Sequence, residues 1–194
     1  MNINKLIESF SNDIFPLSEE EINQLKSKFK ERQIKRRQFI LQEGDVCKHY
    51  TFVSEGCFKL YKIDHSGKER NLQFSIENEW ISDLGSLYSE TPSALYIEAI
   101  EQSTILQIER KDLVYLYTHF PNIDRNFRVI IENSFIALQK RMFQNISATA
   151  EERYLYFLKT RPNLFNRISN VQIASYLGVT PEFLSTIRKK IAHS

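Results

Sequence analysis

The stretch Asn170–Lys190, "NVQIASYLGVTPEFLSTIRKK", decides how the C-terminal part of this 194-residue chain folds. Apolar residues recur at helical spacing on both sides of a glycine, which indicates two short helices joined by a tight turn. A helix-turn-helix needs five apolar positions that lock the helices, a small residue where they touch and a glycine in the turn. The stretch supplies the locks at Ile173, Leu177, Val179, Leu184 and Ile187, the small residue at Ala174 and the glycine at Gly178.

The starts of both helices are also marked in the sequence. Ser169 and Gln172 have the spacing of a capping box, and Thr180 is placed to cap the second helix. Pro181 follows at the first helical position, where a missing N–H is harmless because that N–H has no partner within a helix. The second helix is therefore predicted to run from Pro181 to about Ala192.

The full set of these features predicts that the second helix reads DNA. The position of its apolar residues predicts which side of this helix faces the DNA. With the apolar locks turned inward, the outward row consists of Glu182, Ser185, Thr186 and Lys189. Glu182 can accept a hydrogen bond from a cytosine amino group, Thr186 offers a hydroxyl or a methyl group, and Ser185 offers a hydroxyl. We predict that this row contacts bases. Two roles stay open for Phe183, which either covers a thymine methyl group or packs on the neighbouring helix.

Positive charge concentrates at the same end of the chain. Residues 139–194 hold 9 Lys and Arg against 3 Asp and Glu, whereas residues 1–138 hold 17 against 21, so the net charges are +6 and −4. A basic end on an acidic body favours nucleic acid as the partner of that end, and the alternative is a basic face that contacts only solvent. DNA phosphates are predicted to bind Arg167, Arg188, Lys189, Lys190 and the backbone N–H groups at the helix starts capped by Ser169 and Thr180.

A long helix precedes this region. Residues 122–146 contain neither Gly nor Pro and carry one apolar side, formed by Phe127, Ile130, Ile131, Phe135, Leu138 and Met142. A long helix with an apolar stripe between two compact units favours parallel pairing with a second copy, which predicts a homodimer. The alternative is that the stripe packs on the protein's own N-terminal part.

The N-terminal part is predicted to be a β-roll between helices. From Phe39 to about Ile108, short β-branched and aromatic runs alternate with turns at Gly44, Gly56, Gly67 and Gly85, which indicates a small antiparallel roll of the jelly-roll type. A short amphipathic helix with a capping box at Ser18 and Glu21 precedes the roll, and the helix "RKDLVYLYTHF" follows it and ends before Pro121. The fold class is therefore α+β.

Several other classes of protein have no support in the sequence. No apolar stretch is long enough for a membrane span and the start lacks the features of a signal peptide, so a cytoplasmic protein is expected. Cys47 and Cys57 are too few for a disulfide framework or an iron–sulfur cluster held by four thiolates, and we expect them to be reduced, partly buried strand residues. The four histidines do not cluster as metal ligands, so neither a metal nor an enzyme is predicted, although rolls of the cupin type can carry a catalytic metal.

The order of a β-roll, a long helix and a C-terminal helix-turn-helix resembles the Crp/Fnr family of bacterial transcription regulators. The stretches "LQEGD", "YTFVSEG" and "IASYLGVTPEFLSTIRK" carry the resemblance, which covers nearly the whole chain. It implies a cyclic-nucleotide-binding-like sensor domain over residues 1–120, a dimerisation helix over 121–146 and a DNA-binding domain over 147–194. It also implies a palindromic double-stranded DNA site with half-sites about one helical turn (~34 Å) apart, and RNA polymerase as a further partner.

The phosphate-binding residues of the family are not matched. Cyclic-nucleotide-binding members hold the cyclic phosphate and ribose with a Gly-Glu pair and, further along, an Arg followed by Ser. Here Ser82 and Asp83 stand in the first pair of positions and Ser93 and Ala94 in the second. The loss of the Arg removes the cation that would neutralise the phosphate, while Asp83 remains as an unpaired negative charge near any anion. Cyclic AMP is therefore not expected to bind, and another small effector, or none, stays open.

Other departures limit what the resemblance implies. The redox-sensing branch needs cysteines near the start, where this chain has none before Cys47, and a haem-binding branch has no ligand set here. Pro181 and Thr186 occupy positions that are Arg in the best-known members, so a different operator sequence is expected. The chain ends soon after the second helix, so the usual two-stranded wing is expected to be missing. A ligand-sensing or partner-binding module, whose helix-turn-helix contacts protein, is the alternative function.

Overall fold

The computed structural model describes residues 3–11 and 15–192, and within them the chain is an α+β fold of eight strands, eight α-helices and one 3-10 helix. The strands are β1 (Lys30–Ile34), β2 (Phe39–Leu41), β3 (His49–Glu55), β4 (Phe58–Ile63), β5 (Glu69–Ser75), β6 (Glu79–Ile81), β7 (Tyr96–Ala99) and β8 (Ser103–Glu109). The helices are α1 (Ile3–Ser11), α2 (Glu19–Lys28), α3 (Leu84–Ser89), α4 (Arg110–His119), α5 (Pro121–Ser147), α6 (Ala150–Thr160), the 3-10 helix (Pro162–Leu164), α7 (Asn170–Leu177) and α8 (Pro181–Ala192). None of the helices in these ranges has both the length and the hydropathy needed to cross a membrane.

The strands form two four-stranded antiparallel sheets that together make a jelly roll. The first sheet has the strand order β1-β8-β3-β6, and the second has the order β2-β7-β4-β5. In the second sheet, Leu60 of β4 lies opposite Ile97 of β7 on one side and Gln73 of β5 on the other. These sheets confirm the predicted roll. Strand β5 is the edge of the second sheet, so one side of its backbone is open to other contacts.

An aromatic cluster joins the roll to the long helix. The ring of Trp80 lies 4.5 Å from that of Tyr50 and 5.2 Å from that of Phe127 on α5, measured between centroids. Phe10 of α1 contacts Phe127 from another side, with 5.3 Å between centroids. Because Phe127 is buried in this cluster, the first turns of α5 belong to the core of the roll.

The C-terminal helices have a second core that includes part of the roll. Its buried side chains come from α6, the 3-10 helix, α7 and α8, and among them are Tyr154, Phe157, Leu164, Ile173 and Leu184. Cys57, at the turn between β3 and β4, and Phe74 of β5 are buried in the same cluster. The C-terminal helices are therefore packed against the second sheet.

Some local predictions differ from the structure. The sequence pattern predicts no element at α1, and it extends the helix that begins after Ser18 through Phe29 to a basic tail at residues 35–37. This extension is wrong, because α2 ends at Lys28 and β1 follows it. Four of the five residues of β1 are exposed, so the strand lacks the alternation that would mark it. Gly44, Gly56 and Gly67 have positive φ as predicted, but Gly85 lies inside α3, whose start is capped by Asp83. Both cysteines are fully buried and lie beside strand ends instead of within strands.

Candidate nucleic-acid interface

The helix-turn-helix has the predicted geometry. Ser169 and Gln172 form the capping box at the start of α7, and Gly178 ends that helix with φ of 69°. In this left-handed conformation the Gly178 and Val179 N–H groups donate to the last carbonyls of α7. A residue with a Cβ would adopt this conformation only with steric strain. Thr180 Oγ1 accepts from the Phe183 N–H (3.2 Å) and so caps α8.

The locks between α7 and α8 are buried and the predicted outward row is exposed. Ile173, Ala174, Leu177, Leu184 and Ile187 are buried, and Val179 is partly buried. Glu182, Ser185, Thr186 and Lys189 are all exposed on α8. One polar face of α8 is therefore presented outward on a helix whose opposite face is fixed by packing.

The hydroxyl groups on this face already donate hydrogen bonds within the helix. Ser185 Oγ donates to the Pro181 carbonyl (3.0 Å), and Thr186 Oγ1 donates to the Glu182 carbonyl (3.2 Å). The pKa of the Glu182 carboxyl is lowered by hydrogen bonds from its own N–H and from Thr180. At neutral pH the face therefore carries three side chains with acceptor oxygens, Glu182, Ser185 and Thr186, and the Lys189 ammonium group.

Phe183 lies at the side of this face. Its ring is 52% exposed and lines a shallow groove together with Thr149 and Ala150 at the start of α6. Phe183 thus faces a groove shared with the neighbouring helix and also keeps a free surface, so both roles considered for it stay open.

The cations predicted to bind phosphates have different surroundings. Arg188 donates to the Asn170 side chain and stacks over Phe165, with 5.1 Å to the ring centroid. Lys190 pairs with Glu151 of α6 (2.6 Å) and stays largely exposed. Lys189 is exposed on the outward row. All three cations lie in the last turns of α8.

Arg167 is placed apart from them. Its guanidinium group forms a two-point ion pair with Glu77, at 2.7 and 3.0 Å, and also pairs with Glu101. Both carboxylates belong to the roll, and the arginine side chain is only 21% exposed. In this structure Arg167 therefore joins the C-terminal helices to the roll, and phosphate binding by Arg167 stays a prediction.

Two further arginines reinforce the same junction. Arg161 pairs with Glu79 (2.8 Å) and donates to the Phe74 carbonyl (2.8 Å). Arg141 of α5 donates to carbonyls of Leu72 and Tyr176 and stacks over the Tyr176 ring, 4.0 Å from its centroid. Arg161 and Arg167 thus form ion pairs with carboxylates of the roll, whereas Arg141 binds backbone carbonyls. No local motif marks these pairs, which join residues 66 to 90 positions apart, so sequence analysis could not find them.

The matched phosphate-binding positions form an internal hydrogen-bond network. Asp83 Oδ1 accepts from the Ser86 N–H (3.2 Å) at the start of α3, and Asp83 Oδ2 accepts from Ser93 Oγ (2.7 Å). Ser82 Oγ donates to the His49 carbonyl (2.9 Å) and accepts from the Thr51 N–H (3.2 Å). Ala94 is exposed and has no polar side-chain group. Asp83 thus keeps the carboxylate of the family's Gly-Glu pair but accepts from Ser93, and neither Ser93 nor Ala94 supplies the cation of the Arg that is missing.

The apolar side of α5 divides into two parts. Phe127 is buried on the roll and Ile130 is partly buried there. From residue 131 to 140 every side chain is exposed, and large apolar side chains stand exposed at Ile131, Phe135, Leu138 and Met142. The start of the stripe thus packs on the protein's own N-terminal part, while the rest is uncovered in the single chain. Pairing of that part with a second copy stays a prediction.

Comparison with known proteins finds a domain family, two transcription regulators with similar sequences and a solved structure with a similar fold. Residues 31–119 match the cyclic nucleotide-binding domain family. The chain is 28% identical over 170 residues to the probable transcriptional regulator flp of Lacticaseibacillus casei, covering 84% of this chain and 76% of that protein. It is 23% identical over 167 residues to the transcriptional activator protein Anr of Pseudomonas protegens, covering 80% and 68%. The structure of FixK2 from Bradyrhizobium japonicum has a similar fold, with a TM-score of 0.74 and 19% identity over 85% of each chain.

Proposed function

Because the chain belongs to the Crp/Fnr family of transcription regulators, we propose that it binds a specific DNA sequence through α8 and regulates transcription. The observation that carries this proposal is the exposed polar face of α8, whose opposite face is held by the buried side chains of Leu184 and Ile187. A helix presented in this way fits the major groove, where each base pair offers a distinct pattern of donors and acceptors.

The chemistry of α8 favours bases that present amino groups. Glu182 is an acceptor only, because its carboxyl is ionised at neutral pH. The hydroxyl hydrogens of Ser185 and Thr186 are engaged within the helix, so their oxygens can accept without breaking an existing bond. Adenine N6 and cytosine N4 are the major-groove donors. We therefore expect the preferred half-site to place adenine or cytosine under Glu182 and Thr186.

The proposed active form is a homodimer in which residues 121–146 are the dimerisation helix. Exposed Ile131, Phe135, Leu138 and Met142 follow one another at spacings of four, three and four residues, which is the spacing of a coiled-coil seam. Parallel pairing along this seam would direct two copies of α8 toward successive major grooves about 34 Å apart. A palindromic operator matches this symmetry.

We propose that DNA binding does not depend on cyclic AMP. Asp83 and Ser93 satisfy each other where the phosphate would bind, and no cation replaces the missing arginine among the residues matched to the phosphate-binding positions, Ser82, Asp83, Ser93 and Ala94. A buried anion without a positive partner is strongly disfavoured. We propose that the regulator acts in the cytoplasm and has no enzymatic activity. RNA polymerase is its proposed further partner, and the roll binds an effector other than cyclic AMP, or none.

The proposal is tested by fluorescence anisotropy with duplexes tiled across the region upstream of the protein's own gene and a scrambled control. The titrations are made at two salt concentrations, with and without cyclic AMP. One preferred tile, weaker binding at higher salt and no effect of cyclic AMP would support the proposal. The alternative, a module whose helix-turn-helix contacts protein, predicts no binding to any duplex at low salt.

A further inference from the structure

The β4–β5 hairpin lies against α7, the helix that precedes α8. Ser175 of α7 bridges the edge strand β5, because its Oγ accepts from the Asn71 N–H (3.0 Å) and donates to the Glu69 carbonyl (2.7 Å). The hydrogen bond from its own N–H lowers the pKa of the Glu182 carboxyl most, and the positive charge of nearby Lys68 lowers it further. The turn that joins β4 and β5 therefore lies next to the helix-turn-helix, on the side of α7.

This turn is held in one conformation. Asp64 Oδ1 accepts from the Ser66 N–H (2.8 Å) and the Lys68 N–H (3.1 Å), and the Asp64 N–H donates to the Lys68 carbonyl (2.9 Å). Gly67 completes the turn with φ of 77°. Because its backbone is fixed on both sides and the neighbouring Glu69 carbonyl is bound by Ser175 of α7, Lys68 is presented at a defined place next to the helix-turn-helix, at little entropic cost for its main chain.

The acidic residues of the hairpin are already paired. Asp64 pairs with Arg70 (2.6 Å) and Glu69 pairs with Lys59 (2.6 Å). Within residues 3–11 and 15–192, Lys62 and Lys68 are in no ion pair, and both are exposed. The two lysines differ in position, because strand alternation puts Lys62 on the face of β4 opposite Tyr61 and Ile63, whereas Lys68 lies in the turn near Glu182.

We propose that the Lys68 ammonium group binds a DNA phosphate beside the half-site that α8 contacts. The major groove is about 12 Å wide and is bordered by phosphates on both sides, so a lysine next to the start of an inserted helix can reach the backbone. Lys68 also offsets the repulsion between the Glu182 carboxylate and the DNA. The roll thus supplies a sequence-independent contact to the proposed DNA-binding function, on which this inference rests.

The test compares Lys68→Ala with Lys62→Ala, a matched variant that removes one positive charge from the other side of the same hairpin. Affinity is measured over a salt series, on a duplex selected by the wild type from a random pool and on a scrambled duplex. Lys68→Ala should weaken binding to both duplexes alike and lower the slope of log affinity against log salt by about 0.9 for each half-site bound. Lys62→Ala should leave the slope unchanged, and Lys68→Glu should weaken binding more than Lys68→Ala.

Equal effects of the Lys68 and Lys62 variants would overturn the inference, because they would show a general charge effect. Unchanged DNA affinity of Lys68→Ala together with reduced transcription in the presence of RNA polymerase would also overturn it, since the hairpin would then contact protein. Failure of the proposed function is distinguishable, because the wild type itself would then prefer no duplex.

Discussion

Arg167 and Glu77 join the DNA-binding helices to the β-roll through a two-point ion pair, with Nη1 2.7 Å from Oε2 and Nη2 3.0 Å from Oε1. Arg167 lies just before α7, and Glu77 lies in the turn between β5 and β6. The Glu77 carboxylate also accepts from the Gly56 N–H (2.8 Å), so the pair is anchored in the backbone of the roll. The orientation of α8 relative to the roll therefore depends on groups that titrate and on a small number of contacts.

Acid should weaken this junction in a defined range of pH. Burial alone would raise the pKa of Glu77, but hydrogen bonds from Arg167 and from backbone N–H groups outweigh burial and lower it from 4.5 to about 2. A carboxyl group with a depressed pKa in the folded state stabilises the fold above its unfolded pKa, and this contribution is lost as the pH falls toward the folded value. Glu77→Gln should therefore be less stable than the wild type at pH 6, and the difference should shrink as the pH falls from about 4.5 toward 2.

Urea unfolding at several pH values measures this effect, and Glu55→Gln serves as the control because Glu55 is an exposed residue of the same sheet system. If the free energies of unfolding of Glu77→Gln and the wild type differ by the same amount down to pH 3, the ion pair does not stabilise the fold.

Cys57 should report the opening of the junction. Its thiol is buried between the second sheet and the C-terminal helices, and burial raises its pKa to about 12, so the folded protein should react slowly with a thiol reagent at pH 8. In a Cys47→Ser background, Arg167→Ala should speed the modification of Cys57 by about tenfold, because local opening becomes easier. The matched control is Cys47 in a Cys57→Ser background, where the rate should stay unchanged. Equal acceleration at both thiols would indicate general destabilisation instead.

Asp83 should be important for the stability of the roll. It caps α3 through the Ser86 N–H and satisfies the buried hydroxyl of Ser93. Asp83→Ala removes the acceptor of both hydrogen bonds and should lower the free energy of unfolding by about 1–3 kcal/mol. Asp83→Asn keeps one acceptor oxygen and should lower it less. Urea denaturation compares the two variants, and equal losses would argue against a specific role of the second carboxylate oxygen.

The exposed seam of α5 should control association. Leu138→Glu introduces a charge at a seam position and should convert the proposed dimer into a monomer, because an unpaired charge in an apolar interface is strongly unfavourable. Asn133→Glu adds the same charge at a position about 200° around the helix from Ile131 and should leave the dimer intact. Sedimentation velocity distinguishes the two species. A dimer in both variants would place the interface elsewhere.

Features that depend on neighbouring residues could be predicted from the sequence, whereas features that depend on tertiary contacts could not. The helix-turn-helix was predictable because its caps, its positive-φ glycine and its buried locks act within about twenty residues. Strand β1 was missed because it is a largely exposed edge strand, and α3 was missed because its capping depends on the fold around Asp83 and Ser93. Arg167 was predicted among the phosphate contacts because it is a cation near α7, and its pairing with Glu77 and Glu101 is set by tertiary structure alone.

The central claim is that the outward face of α8 recognises bases. Its most direct test selects bound duplexes from a random pool with the wild type, Glu182→Ala and Lys189→Ala, and compares the base preference at each position of the half-site. We expect Glu182→Ala to relax the preference at one base pair by about 1–3 kcal/mol, and Lys189→Ala to weaken all sequences alike while preserving the preferences. Identical preferences for Glu182→Ala and the wild type, or equal losses on every sequence for both variants, would contradict the claim.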